Sequence, residues 1–398
     1  MKYKFYLPAL AMLTLSASGV YGQEAQTPAE QGYQFTTVNR IKASPVKDQY
    51  RSGTSWSFAT VSYVESELIR LGYDTLDLSE MFFVNHAYRD KASRFVRLHG
   101  NSTFGAGGQA HDVLNVIARH GFVTETDYPG LLRGEPKHIH GELDAVLKGF
   151  LDAVVKKKDD KLSQVWMEAY SGILDAYLGP LPQKAGKKEA LRSAEQFPKF
   201  VPGDYVELTS YTHHPFYTLA DLEVPDNWSH NDYYNLPLDE LMEVIKSAIG
   251  NGFTVCWDGD VSDRGFSHSN GVAIVPEKNT ASLDGTERSR WEKLTEKERN
   301  AELYSFKQPG SEKTITQEMR QAAFDNLQAT DDHLMHLTGM VKDQQGTLYF
   351  VTKNSWAAGS NAFGGYLNMS EAYLRLNTIA VMVHKNAIPA AIRAKLKI

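Results

Sequence analysis

A single cysteine, Cys256, stands in 398 residues. No internal disulfide can form, so the fold rests on an apolar core rather than on cross-links. After an initial run from Leu7 to Leu15, no stretch is apolar enough to span a bilayer. No cysteine follows that run to carry a lipid, so no membrane anchor is expected. A basic excess is also missing. Lys and Arg number 42 against 48 Asp and Glu, and the net charge of −6 argues against a broad nucleic-acid-binding surface. Neither an internal repeat nor a low-complexity tract is present. Cys256 lies in the short apolar run Phe253-Thr254-Val255-Cys256-Trp257 and reads as a buried, inert thiol.

What is present begins with a leader pattern. Lys2 and Lys4 precede the apolar run, and small residues lead to Val20-Tyr21-Gly22 before Gln23. Residues 1–22 read as a signal peptide, which implies export to the periplasm or the exterior. A polar N-terminal arm, 23–40, follows, with a β-like stretch at Phe35–Val38. Residues 41–130 carry helical patterns. Phe58, Val61, Val64, Leu68 and Leu71 recur at helical spacing and Gly72 ends them. A second helix is expected from Leu78-Ser79-Glu80-Met81, and a third around Val113, Val116 and Ile117.

Residues 131–235 read as a helical insertion. Leu143, Val146, Leu147, Phe150, Leu151 and Val154 form one stripe; Leu162, Val165, Trp166, Ala169 and Ile173 form another, stopped by Gly179-Pro180. Lys156–Asp160 reads as a solvated link. From 236 to 384 the pattern turns to strands: Cys256's run, Val272–Val275, His333–Leu337, Leu348–Lys353 and Ile379–His384, after a helix over Leu238–Ile249. Within it, 277–312 is charged and aperiodic, a surface excursion. A C-terminal arm, 385–398, holds a short helix at Ala390–Leu396. Helices first and strands last predict an α+β protein of two lobes with a cleft between them.

Three separated strings carry the chemistry. The first is Gln49 with Ser52-Gly53-Thr54-Ser55-Trp56. The second is Asp332-His333-Leu334-Met335 on a strand. The third is Lys353-Asn354-Ser355-Trp356. Ser55 alone reads as a first-turn helix residue; joined to His333 and Asn354 it reads as a nucleophile position served by an imidazole and an amide. His336 competes with His333, but strand alternation sends it to the opposite face. Asp331 and Asp332 could act on His333, but acids just before a strand are more commonly surface groups. His138 with His140, and His213 with His214, lack a third ligand at metal spacing and read as structural, so neither metal nor cofactor is expected.

Together these strings resemble the papain-like cysteine peptidases, in the bleomycin hydrolase / aminopeptidase C branch. Leu78-Ser79-Glu80, Gly107-Gly108, Asn235-Leu236-Pro237-Leu238, Asp258-Gly259-Asp260-Val261 and His333-Leu334-Met335-His336-Leu337-Thr338-Gly339 extend the likeness from about residue 33 to the end. The interval from Ser55 to His333 far exceeds the roughly 130–150 residues usual in papain-like enzymes, and insertions at 131–235 and 277–312 fill it.

The resemblance implies a papain-like two-lobed fold, helical lobe against β-barrel-like lobe, and hydrolysis of N-terminal residues from peptides. It implies that His333 is the acid–base, Asn354 its orienter, and Gln49 an oxyanion donor with the N–H of residue 55. Trp356 would shield the His–Asn bond. Gly107, Gly108, Trp56 and Trp356 would meet substrate. The C-terminal arm would enter the cleft, and a homo-oligomer, a hexamer, is the expected assembly.

Two departures matter. Ser55 stands where the family has cysteine, and a hydroxyl is far less acidic than a thiol, so weak or absent turnover is expected. The alternative is a non-catalytic peptide-binding or scaffold protein. Ala357 stands where the family has glycine after Trp356; a positive φ there would strain it.

Overall fold

The computed structural model of the chain describes residues 32–131, 135–157, 161–182 and 196–398. The leader 1–22, the start of the polar arm and Lys158–Asp160 of the charged link lie outside them. In chain order the elements are β1 (Thr36–Arg40), α1 (Ser55–Arg70), α2 (Glu80–Arg97), α3 (Ala110–His120), α4 (Gly141–Val155), α5 (Val165–Leu178), β2 (Tyr205–Thr209), β3 (Leu219–Asp221), β4 (Asp232–Asn235), α6 (Leu238–Gly250), β5 (Val255–Gly259), β6 (Phe266–Ser267), β7 (Val272–Ala273), α7 (Gly285–Lys293), α8 (Glu296–Leu303), α9 (Gln317–Asp325), β8 (His333–Lys342), β9 (Leu348–Lys353), β10 (Tyr366–Ser370), α10 (Glu371–Asn377), β11 (Thr378–His384) and α11 (Ala390–Leu396). No described helix is long and apolar enough to cross a membrane.

The fold is α+β with two large cores and two small ones. Of the large ones, one gathers α1 to α5; the other lies between the sheet and α6, α10 and α11. All the strands join one mixed sheet, in the order β3-β4-β2-β11-β5-β8-β9-β10-β7-β6, with β1 on β8.

Helix α1 runs between the two halves, and every residue from Ser55 to Leu68 is buried. Its apolar stripe faces the other helices. The remaining faces carry small polar residues whose hydroxyls are satisfied as they enter the interior. Ser57 donates to the carbonyl of Glu80 (2.8 Å), Ser62 bonds His336 Nδ1 (2.8 Å), and Thr60 lies 3.5 Å from Cys256 Sγ. An amphipathic pattern here marks a central helix, not a surface one. Ser79 caps α2 by accepting from Phe82 N at 3.1 Å.

Helices α4 and α5 extend the first core. Leu143, Leu147 and Leu151 of α4, and Tyr170, Leu174 and Leu178 of α5, are buried at four-residue spacing. Each such leucine contributes about 1.5–3 kcal/mol of burial. The stripe read from Leu162 to Ile173 is out of phase: Val165 is 62 % exposed and Tyr170 is 0 %. Apolar residues crowd several faces of α5, so periodicity did not select the buried one.

Three further differences have physical causes. Among the described residues of 131–235 the last α-helix ends at Leu178; from Tyr205 the segment supplies β2, β3 and β4, too short for a pattern to show. The 277–312 excursion folds α7 and α8, helices without an apolar stripe that are held by caps. Asp284 accepts from Thr286 N and Glu287 N, and Thr295 and Glu298 form a reciprocal box. The C-terminal arm does not enter the cleft. Ile392 and Leu396 are buried in the second core, and Lys395 Nζ meets Glu240 Oε1 of α6 at 2.5 Å.

Candidate active site

The loop before α1 is wound on itself. Ser52 Oγ donates to the carbonyl of Gln49 (2.8 Å) and accepts from Thr54 Oγ1 (2.6 Å). A Cβ on Gly53 would lie 2.6 Å from Ala106 Cβ, so the close approach of the 105–108 loop requires glycine. Ser55 is the first residue of α1, where a backbone N–H has no intrahelical acceptor and the helix dipole favours negative charge. It is 9 % exposed, and its hydroxyl has no hydrogen-bond partner among the described residues.

A strap sets Gln49 beside it. Gln49 N donates to Ser355 O (2.8 Å), and Ala357 N to Lys47 O (3.2 Å). The Gln49 side-chain oxygen accepts from Ser355 Oγ (2.6 Å), while Nε2 donates to Ser52 O (2.9 Å). That amide nitrogen keeps a second N–H for a ligand.

His333 opens β8, and its Nε2 meets Asn354 Oδ1 at 2.8 Å. Ser355 N donates to the same oxygen (2.7 Å). An amide oxygen only accepts, so Nε2 carries the proton and Nδ1 offers its lone pair. Asn354 Nδ2 reaches His268 Nδ1 (3.3 Å), and His268 Nε2 reaches Ser360 Oγ (2.7 Å). The Trp356 ring covers both imidazoles, 5.0 Å from His333 and 4.9 Å from His268. His268 was not visible in the sequence; it belongs to no motif and meets Asn354 only through the fold.

Ser55, Gln49, Gly107, Gly108 and His333 line one cavity of about 250 Å³, together with Gly53, Trp56, Leu334, Asp226, Asp331 and Asp332. A larger cavity, about 800 Å³, lies under the 276–312 segment away from these groups. Burial pushes the His333 imidazole down to about 4, and the Asn354 hydrogen bond offsets this only in part. The ring is therefore neutral at neutral pH, and no resting ion pair exists with Ser55. Histidine-selective NMR is expected to show His333 titrating near 4 in this chain. In Ser55→Cys the same ring should be protonated at neutral pH, because a thiolate stabilises imidazolium.

The remaining candidates divide. Trp56 is 1 % exposed and donates Nε1–H to Ala106 O (2.9 Å), so it pins the loop beneath the cavity. The glycine pair lines the cavity and is also required by packing. A Cβ on Gly107 would lie 1.8 Å from Asp226 Oδ2, and one on Gly108 would lie 2.7 Å from Asp112 Oδ2 and 3.0 Å from the Trp56 ring. Asp331 and Asp332 line the cavity without bonding His333. Asp331 accepts from Gln109 Nε2 (2.8 Å), and Asp332 from Ser262 N (3.2 Å). His336 faces α1, where Ser62 also receives Lys353 Nζ at 2.7 Å. Asp260 fixes the approach to β8 by accepting from Ser262 N, Asp263 N and Thr330 N.

Ala357 has φ 66° and ψ 147°, a conformation close to the glycine-only region. Ala357→Gly is expected to raise stability by about 1 kcal/mol, read as a higher urea midpoint at unchanged m.

The two histidine pairs differ in their surroundings, and no third ligand group joins His138 and His140 among the described residues. Burial pushes His138 and His140 down to about 4 each. Glu223 does join His213 and His214, a third group the sequence reading did not find, with both Nε2 atoms 3.0 Å from its carboxylate. Yet Gln321 Oε1 accepts from Thr212 N (2.6 Å), which fixes its Nε2 as donor to His213 Nδ1 (3.0 Å). His213 Nε2 then bears hydrogen and donates to Glu223, leaving no lone pair for an ion. Cys256 is buried and its thiol is pushed up to about 12.

The chain is papain-like in fold. A family model described as papain family cysteine protease matches residues 33–165, the stretch that holds Gln49, Ser55 and the glycine pair. Among solved structures, PepW from Lactobacillus rhamnosis HN001 is 18 % identical and superposes with a TM-score of 0.66, over 94 % of this chain and 85 % of that one. Digestive procathepsin L 3 of Tenebrio molitor larval midgut is 14 % identical over 90 % of this chain and 70 % of its own, at a TM-score of 0.38. No curated protein matches.

Proposed function

We propose that this chain is an exported papain-type peptidase scaffold of the bleomycin hydrolase / aminopeptidase C kind, directed at N-terminal residues of peptides, with turnover made weak or absent by Ser55. The supporting observation is the meeting of Ser55, at the first turn of α1, with the His333–Asn354 pair and Gln49 on one cavity. With a thiol at 55, the helix dipole and an imidazolium would stabilise thiolate. The sulfur would add to the carbonyl carbon, and Gln49 Nε2–H with the residue 55 N–H would receive the oxyanion. His333 would then protonate the leaving amine, and later activate the water that releases the acyl group.

With serine, the sequence of steps stalls at its start. A neutral His333 held near 4 is a weak base, and Asn354 supplies no negative charge to strengthen it. Ser55 itself favours the second reading, a peptide-binding or scaffold protein without turnover. The leader-like 1–22 supports export, and the family resemblance supports a homo-oligomer, a hexamer, whose mass in solution tests it. Turnover of fluorogenic aminoacyl amides by Ser55→Cys separates the two readings: activity supports the peptidase scaffold, and none supports the binding protein.

A further inference from the structure

The cavity that His333 lines is also lined by the carboxylate of Asp226. Asp226 sits on a loop held by buried Asn227, whose Nδ2 donates to Asp221 Oδ1 (3.0 Å), Leu222 O (3.1 Å) and Asn231 O (3.0 Å). Trp228 Nε1 donates to Asp112 Oδ2 (2.8 Å) and ties the same loop to α3. The Asp226 carboxylate rests on the bare Cα of Gly107, where a side chain would collide with it. Its oxygens have no hydrogen-bond donor among the described residues, although the residue is half-buried.

The wall is rich in carboxyl groups. Asp331 and Asp332 line the cavity with Asp226, and Asp112 and Asp258 stand behind them. Asp258 is 3 % exposed, and burial, with Asp331 beside it, pushes its ionisation well above the usual carboxylate range; burial also pushes Asp331 up to about 7 and raises Asp226. The cation acting on Asp226 is Lys91, whose ammonium is already engaged by the carbonyls of Gly105 (3.1 Å) and Gly107. A low-dielectric cleft with excess negative charge concentrates cations. The cavity, about 250 Å³, falls below the roughly 300–1,000 Å³ of drug-sized sites, so it fits a short end of a chain rather than a long segment. The C-terminal residues, docked on α6, are not among its lining.

We propose that Asp226 is the amine anchor of this site: its carboxylate receives the α-ammonium group of a peptide's N-terminal residue and so confines the cleft to free amino termini. The inference rests on the peptidase reading and names what selects its substrate.

The test uses Ser55→Cys with three fluorogenic peptides: one with a free amine, its N-acetyl twin, and an N-acetyl peptide bearing lysine. The free amine is expected to give a kcat/KM at least tenfold above the acetylated twin. Asp226→Asn should lower the free-to-acetyl ratio of kcat/KM on the order of 10- to 100-fold. Equal rates on free and acetylated peptides would overturn the inference while leaving the peptidase reading intact. Preference for the acetylated lysine peptide would also overturn it, assigning the acids to a basic side chain. No turnover of any peptide would remove the peptidase reading and the anchor with it. The free-to-acetyl ratio of the Asp226 chain needs no folded Asp226 variant.

Discussion

Ser55→Cys is expected to turn over aminoacyl amides at least a thousandfold faster than the Ser55 chain, with activity abolished by a thiol alkylator. The size follows from the site. Loss of a nucleophile costs up to about a million-fold in comparable hydrolases, and the other parts are in place: an open first-turn N–H at residue 55, a spare Gln49 N–H and an imidazole with Nδ1 unprotonated. Only the acidity of the atom at position 55 is wrong for a Cys/His/Asn mechanism. His333→Ala in the Ser55→Cys background should return the rate to that of the Ser55 chain. A Ser55→Cys protein without thiol-dependent turnover would refute the latent-enzyme reading.

Lys47→Met is expected to lose about 3–5 kcal/mol of stability at pH 8, as breaking a buried ion pair by removing one partner does. Lys47 Nζ meets Glu80 and Asp77 at 2.7 Å each, Glu65 at 3.7 Å and the carbonyl of Leu78 at 2.7 Å. Glu65 and Glu80 are almost wholly buried, so without the ammonium two carboxylates face each other in the interior. Burial already pushes Glu80 up to about 7 even with Lys47 present. A carboxyl raised on folding binds more protons in the native state, so stability from this group falls as pH rises from its ordinary value through about 7. The Lys47→Met penalty should therefore shrink at pH 6, where Glu80 takes up its proton. Urea unfolding at the two pH values reads both numbers; a loss below about 1 kcal/mol at pH 8 would mean that the cluster is solvated. The strap that carries Gln49 begins at Lys47, so the same variant should also loosen the oxyanion side of the site.

How much of this was legible depended on whether neighbours in sequence did the work. α1, the Ser79 cap of α2 and α11 follow from local periodicity and capping, and their bounds agree closely with the pattern. Ser55, Gln49, His333 and Asn354 were legible because each sits in a string with a known companion. Asp226 and His268 were not, because each acts from a loop through contacts made only by tertiary folding. The strands at 205–235 are too short to declare a period, and α7 and α8 stand on caps and a single buried aromatic, Trp291. The reason for Gly107 was also hidden: glycine there admits a neighbouring carboxylate, which no local rule contains. Ala357 went the other way: the resemblance raised a positive φ there as a condition for strain, and its φ is 66°.

The most direct measurement is the pH dependence of alkylation of Ser55→Cys by iodoacetamide. The background is clean, because the other thiol, Cys256, is buried with its ionisation pushed up to about 12. A thiolate held by the α1 dipole and His333 should react well below the ordinary thiol range near 8.5, and His333→Ala should restore that range. Alkylation that follows an ordinary thiol titration and ignores His333 would contradict the placement of a nucleophile and its imidazole in one site.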